Sequence, residues 1–349
     1  MTLAAVVPAH ASAIGAPTGT STTSATSPGT TPAGTTGPAG STSAPVTTTA
    51  PATPPAAAAA NLTLDLPDAF FVQRQPVTVP GRSFHVVGIV RPYVPGQWVL
   101  VRGFLGRRLI KSEKLRVRPS SNGAYGHFTE ALSSPGVGTI TVSVVHGATA
   151  QLQHFRGQRR LSVLDESVRF GSTGRFVELI QQRLAALHFY VPQTGVYDEG
   201  TGLAIDAYHR LLHWGTSQSL DGRTISFLLD GLGAFKVRFQ GHGRHAEGNL
   251  SLQLLALVNG SHVYRLYPIS SGKPSTPTIL GEFRVYSKVP GYLPDGMYYS
   301  NFFIRGYAIH GYDPAPDYAA SHGCMRLPIA DAISVYDWLN LGDSVDVYY

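Results

Sequence analysis

Leu252-Gln253-Leu254-Leu255-Ala256-Leu257-Val258-Asn259-Gly260-Ser261-His262-Val263-Tyr264-Arg265-Leu266-Tyr267-Pro268-Ile269 places an Asn-Gly pair between two apolar runs. This is the strongest short-range signal for a β-hairpin, because Asn and Gly tolerate the positive φ that a two-residue turn demands. The surrounding residues 235–349 agree with a mostly antiparallel β domain. Glu282–Tyr286, Tyr307–His310 and Ser344–Tyr348 are further short strands, rich in aromatic or β-branched residues. One helix is expected among them. Ile329, Ile333, Tyr336 and Leu339 fall on one helical face, Pro328 suits the first helical position, and Gly342 lies just past the end.

Upstream, the period changes. In residues 166–233, Val177, Ile180, Leu184 and Leu187 share one helical face, as do Ala204, Ala207, Tyr208 and Leu211. Gly195 and Gly200 punctuate the loop between these helices, and Thr224–Leu229 suggests a third. Residues 61–165 return to strands. Leu62, Leu64 and Leu66 alternate with polar positions, and Val86–Val90, Trp98–Val101, Leu115–Val117 and Thr139–Val144 follow, separated by turns such as Pro95-Gly96 and Pro135-Gly136. Strands at this spacing predict a small β-sandwich, as a spacer or a binding module. The expected fold class is therefore mainly β and multidomain: an N-terminal β-sandwich, a small three-helix domain, and a C-terminal β domain with one helix.

The chain has 349 residues, enough for two or three domains, and only 14% are charged, against about 25% in ordinary globular chains. None of the 27 Lys and Arg or 21 Asp and Glu lies in residues 1–60. Residues 14–60 are nearly all Ser, Thr, Ala, Pro and Gly, which offer too little apolar surface to offset ordering entropy, so this segment is expected to be a linker. Leu3–Val7 and Ala11-Ser12-Ala13 suggest the remnant of a signal peptide, without the usual basic start. No stretch is long and apolar enough for a transmembrane helix. The net charge of +6 comes without a long basic run, which does not favour nucleic acid as a partner. An anionic polymer such as a cell wall is compatible with it.

A single cysteine excludes an intramolecular disulfide framework and cysteine-rich zinc or iron–sulfur sites. It stands in Ala320-Ser321-His322-Gly323-Cys324-Met325-Arg326-Leu327, downstream of Ala308-Ile309-His310-Gly311-Tyr312. A thiol attacks as thiolate and needs a base or a positive neighbour, and histidine is the natural partner near neutral pH. Gly311 and Gly323 let a backbone approach a substrate closely. A lone cysteine is also commonly a small buried hydrophobe, so the residues alone leave both readings open.

The segment resembles the L,D-transpeptidase catalytic domain of the YkuD type. The family signature is a His-Gly or His-Ser pair at a strand end, then Ser/Thr-His-Gly-Cys, an apolar residue and Asn or Arg. It reads here as His310-Gly311 and Ser321-His322-Gly323-Cys324-Met325-Arg326. Ser270-Ser271-Gly272-Lys273-Pro274, Thr276-Pro277-Thr278 and Gly281-Glu282-Phe283-Arg284-Val285 resemble the family's upstream pattern. Two departures stand out. Only ten residues separate His310 from Ser321, and the Thr-Pro turn is altered to Thr276-Pro277-Thr278-Ile279-Leu280-Gly281. Similarly, Gly171-Ser172-Thr173-Gly174, Val177, Gln181, Leu184, Gly195, Tyr197, Asp198, Thr201 and Ala204 resemble the three-helix peptidoglycan-binding domain.

The resemblance implies Cys324 as nucleophile and His310 as general base, its second ring nitrogen oriented by a carbonyl such as that of Gly311. It implies His322, Gly323 and Ser321 in support, the first two shaping an oxyanion pocket, and Arg326, Tyr292 and Gly306 on the substrate side. It further implies acyl transfer on peptidoglycan stem peptides through a thioester, with release of D-Ala and without metal or cofactor. The alternatives are an L,D-carboxypeptidase, a Cys–His peptidase, or a non-catalytic wall-binding protein. An exported protein of the cell envelope is expected.

Overall fold

The computed structural model describes residues 56–349. The signal-like start, and all of the expected linker except residues 56–60, lie outside the described residues. Ala58 is bridged to Leu152, so ordered structure begins slightly before the boundary expected at residue 60.

Ten strands come first: β1 (Asn61–Asp65), β2 (Phe70–Val72), β3 (Gln75–Thr78), β4 (Ser83–Arg91), β5 (Trp98–Leu105), β6 (Arg108–Arg116), β7 (Arg118–Pro119), β8 (Gly126–Ser133), β9 (Gly138–His146) and β10 (Phe155–Val163). They form two sheets, ordered β1-β4-β8-β7 and β2-β3-β10-β9-β5-β6. Alternation along the strands turns one face of each toward a shared cluster. Leu64, Phe84, Val86, Phe128 and Leu132 from the first sheet meet Val99, Val101, Ile140, Val142 and Leu161 from the second.

Three helices follow, α1 (Arg175–Ala186), α2 (Glu199–Leu211) and α3 (Gly222–Leu229). Asp198 and Asp221 cap the last two by accepting from the N–H of Thr201 and Thr224, two otherwise unpaired helix-end donors. Gly200, expected in the loop, lies inside the first turn of α2, because the Asp198 cap starts the helix one residue before it. Gln181 is fully buried on α1. Its amide donates to Thr194, Thr201 and the Val196 carbonyl and accepts from Gly195 N–H, fastening the helix to the loop before α2.

The last part contains β11 (Arg244–Asn249), β12 (Leu254–Asn259), β13 (His262–Pro268), β14 (Gly281–Arg284), β15 (Ser287–Tyr292), β16 (Tyr298–Ile304), β17 (Tyr307–Gly311), β18 (Met325–Leu327), α4 (Ile329–Trp338) and β19 (Ser344–Tyr348). Two sheets, β13-β12-β11-β19-β14 and β15-β16-β17-β18, enclose a core with α4. The hairpin forms as expected between β12 and β13, with Asn259 paired to His262. Its two loop residues are Gly260 and Ser261, and only Gly260 has positive φ, the requirement at the first central position of a II′ turn.

Strand β12 is buried on both faces. Leu255 and Leu257 point into the C-terminal core, while Leu254, Ala256 and Val258 join a second cluster with Ile180, Leu184, Ile205 and Tyr208 of the helices. This explains its unbroken apolar run. Arg210 ties the same boundary, donating to the carbonyls of Gln253 and Ile269 while paired with the buried Asp206.

The expected face of α4 differs from the observed one. Ala332, Val335 and Leu339 are buried, Ile333 is exposed, and Asp331 is buried. Leu339 is common to both sets, and each set follows the i, i+3/i+4 rule of a helical face, so periodicity could not choose between Ile333 and its neighbours Ala332 and Val335. Pro328 occupies the cap position rather than the first helical one. Strand β14 ends at Arg284, two residues before its expected limit.

Candidate active site

Two parallel neighbours, β17 and β18, carry the site. Their register pairs Ile309 with Met325 and His310 with Arg326. Ile309 and Met325 enter the core. Because successive side chains alternate, His310 and Arg326 occupy the opposite face, and Cys324, just before β18, belongs to that face too. The strand register therefore puts His310 and Cys324 on one face of the sheet. Cys324 is half-buried and His310 is buried.

His310 Nδ1 lies 2.8 Å from the Gly311 carbonyl oxygen. A carbonyl only accepts, so Nδ1 carries the proton and Nε2 keeps its lone pair. Cys324 Sγ accepts from Ala308 N–H at 3.4 Å and donates to the Gly306 carbonyl at 3.7 Å, rather than to the imidazole. Burial lowers the His310 pKa to about 4, an effect the Arg326 charge reinforces and the Gly311 hydrogen bond opposes. Burial also pushes the Cys324 thiol up, against the Ala308 N–H and the Arg326 charge. At neutral pH both the thiol and the imidazole are therefore uncharged.

The turn that presents Cys324 is organised by Ser321, which is fully buried. Its hydroxyl donates to the Cys324 carbonyl at 2.6 Å and accepts from Gly323 N–H at 3.0 Å. Gly323 N–H is therefore committed within the turn rather than directed at an oxyanion. A second segment clamps the turn from outside. Ser270 and Arg326 exchange backbone hydrogen bonds, Lys273 N–H and the Thr276 hydroxyl both reach the Ser321 carbonyl, and Thr278 accepts from Gly272 N–H. The altered Thr276-Pro277-Thr278 turn supplies two of these contacts, through the hydroxyls of Thr276 and Thr278.

Gly323 has φ +124, and a Cβ there would lie 2.0 Å from the Tyr307 ring. Gly323→Ala is expected to lower stability by about 1–3 kcal/mol from backbone strain alone, with further loss from displaced Tyr307. Thermal unfolding compared with a Tyr307→Ala, Gly323→Ala double variant separates the two: relief of the clash should recover part of the loss and leave the strain.

The other expected residues are placed unevenly. Gly306 touches the thiol through its carbonyl. Arg326 lies over the Tyr312 ring at 4.0 Å, and Tyr312 meets His310 edge-on at 5.8 Å. His322 is exposed, with Nε2 3.3 Å from Lys273 Nζ. Tyr292 is exposed at the end of β15 and packs on Tyr298. Tyr307 was not singled out from the sequence. No local signal marks it, since its contact with Gly323 arises only when β17 and β18 pair.

The YkuD family, described as the L,D-transpeptidase catalytic domain, matches residues 243–347. The Bacillus subtilis (strain 168) protein YkuD, named as an L,D-transpeptidase, is 32% identical over 107 residues, which are 30% of this chain and 65% of that protein. The chain thus spans just under two thirds of that relative's length. Among solved structures, an L,D-transpeptidase fragment from Xylanimonas cellulosilytica is 28% identical, covering 53% of this chain and 98% of that one, with a TM-score of 0.49. The catalytic domain of the E. faecium L,D-transpeptidase is 27% identical over 31% of this chain and 98% of that one, with a TM-score of 0.28.

Proposed function

We propose that residues 243–347, which match the L,D-transpeptidase catalytic domain of the YkuD family, transfer acyl groups between peptidoglycan stem peptides through a thioester on Cys324. The observation that carries this reading is the shared face of His310, Cys324 and Arg326, with a buried imidazole whose free nitrogen is Nε2.

In the proposed reaction, His310 Nε2 takes the thiol proton as Sγ attacks the carbonyl of the third stem residue. The tetrahedral intermediate collapses, the bond to the terminal D-Ala nitrogen breaks, and the proton passes from His310 to that amine. The acyl group is left on sulfur as a thioester. An amine of a second stem then attacks, His310 takes its proton, the new amide forms and the thiol is restored. Ala308 N–H supports negative charge on sulfur. Arg326, fixed over Tyr312, would hold the donor peptide. Ser321, Gly323 and Gly311 act by shaping the turn and the strand end, and His322 and Tyr292 would line the approach. No metal or cofactor is required for these steps.

Residues 166–233 are proposed to bind the wall, and the uncharged N-terminal stretch to tether an exported protein. Both raise the local concentration of substrate. The product test uses a tetrapeptide donor with and without an acceptor stem, read by mass spectrometry. A dimer with free D-Ala is expected. Tripeptide alone, even with acceptor in excess, would favour the carboxypeptidase. Neither product, together with no carbapenem adduct, would make the chain a wall-binding protein only.

A further inference from the structure

The face of the five-stranded sheet turned away from the core carries a row of ionisable groups, on a different sheet from the β17–β18 pair that presents Cys324. The register pairs Glu247 of β11 and Glu282 of β14 with Asp346 of β19. Their neighbours Ala246, Val345 and Val347 face the core, so these three carboxylates share the other side. His242, in the short turn Gln240–His242 that leads into β11, covers the row. Its Nδ1 lies 3.0 and 3.1 Å from the Asp346 carboxylate oxygens, and its Nε2 lies 3.7 Å from Glu282.

Two of the carboxylates are fully buried and differ in how they are satisfied. Glu247 accepts from the N–H groups of Arg238 and Phe239, the Tyr348 hydroxyl and the His245 ring. Asp346 is as deeply buried, and among the described residues only His242 donates to it. A buried carboxylate with one donor leaves most of its acceptor capacity unmet, which is costly unless a cation supplies the balance.

We propose that His242, Glu282 and Asp346 bind one divalent cation of the zinc type, which fastens the connection after the helices onto the five-stranded sheet. One ligand atom from each residue already lies within 4.8 Å of the others. With bonds of about 2.0–2.2 Å, ligands on one tetrahedral ion stand about 3.3 Å apart, so a rotamer change of the exposed Glu282 closes the set. An imidazole with two carboxylates suits zinc better than magnesium or calcium, which prefer all-oxygen shells. His245 is committed on both nitrogens, to Gly243 and Glu247, and serves as a neighbour rather than a ligand. A water would complete the shell from the solvent side.

The test is calorimetric titration of zinc chloride into untagged, chelator-stripped protein in a Cys324→Ser background, so that the thiol adds no ligand. About one equivalent is expected, with a rise of several degrees in the unfolding midpoint. Binding should weaken at least about tenfold in His242→Ala and in Glu282→Gln, whose metal-free melting curves check that both fold. Magnesium and calcium should give no comparable heat. No saturable zinc binding, or binding that His242→Ala leaves unchanged, would overturn the proposal.

Discussion

Cys324→Ala is expected to abolish D-Ala release and covalent labelling by a carbapenem, with the rate falling at least about 10³-fold, to whatever the rest of the site provides. The argument is chemical. Without sulfur there is no acyl carrier, and no other thiol exists in the chain to replace it. The fold should survive. Cys324 is half-buried and Sγ makes only long contacts, to Ala308 N–H and the Gly306 carbonyl. Intact-mass measurement after carbapenem treatment, beside a thermal melt, reads both outcomes. An alanine variant that still releases D-Ala at the wild-type rate would refute the nucleophile.

His310→Gln should lower the acylation rate by about 10²–10⁴-fold, the usual contribution of a positioned base. Glutamine fills similar space and can still donate to the Gly311 carbonyl, so the loss reports on proton transfer more than on packing. The pH dependence follows from burial. With a folded-state pKa of about 4, the imidazole remains a base well below neutrality, and kcat/KM should fall only as the pH approaches that value. Stability moves with the same sign. An unfolded histidine takes its proton near pH 6.5, so the folded state loses free energy as the pH falls from about 6.5 toward 4. The loss is about 3 kcal/mol at most. Asp331, buried and raised to about 7, acts in reverse, weakening the fold as the pH rises from about 4 toward 7. The informative quantity is therefore the difference between wild type and His310→Gln in denaturant unfolding. It should shift against the wild type by up to that amount between pH 7 and pH 4. A difference that does not change with pH would exclude a buried, neutral His310.

What could be read in advance was local. The β12–β13 hairpin announced itself because its turn chemistry and its apolar runs are contiguous in sequence. The His310 and Cys324 segments stood out through their resemblance to the YkuD-type signature, because the residues alone left a lone buried cysteine equally open. What escaped depends on distant residues meeting. Ile333 and Val335 could not be ranked by helical spacing, since the choice of buried face belongs to what α4 packs against. The commitment of Gly323 N–H to Ser321 and the closeness of Tyr307 require the pairing of β17 with β18. The row from Glu247 through Asp346 to Glu282 needs three strands to align, two of them about 100 residues apart in the chain.

The two-sided burial of β12 blurs the border between neighbours that the sequence separates cleanly. A cut between residues 233 and 235 follows the change of period, yet it would leave Leu254, Ala256 and Val258 facing water where Ile180, Leu184 and Tyr208 now lie. The helices are the outer wall of the C-terminal β domain, and Arg210 is its rivet. A segment built in this way cannot be exchanged like a bead on a string. Its surface toward solvent is free to change, whereas its surface toward β12 is held to the shape of the partner it covers.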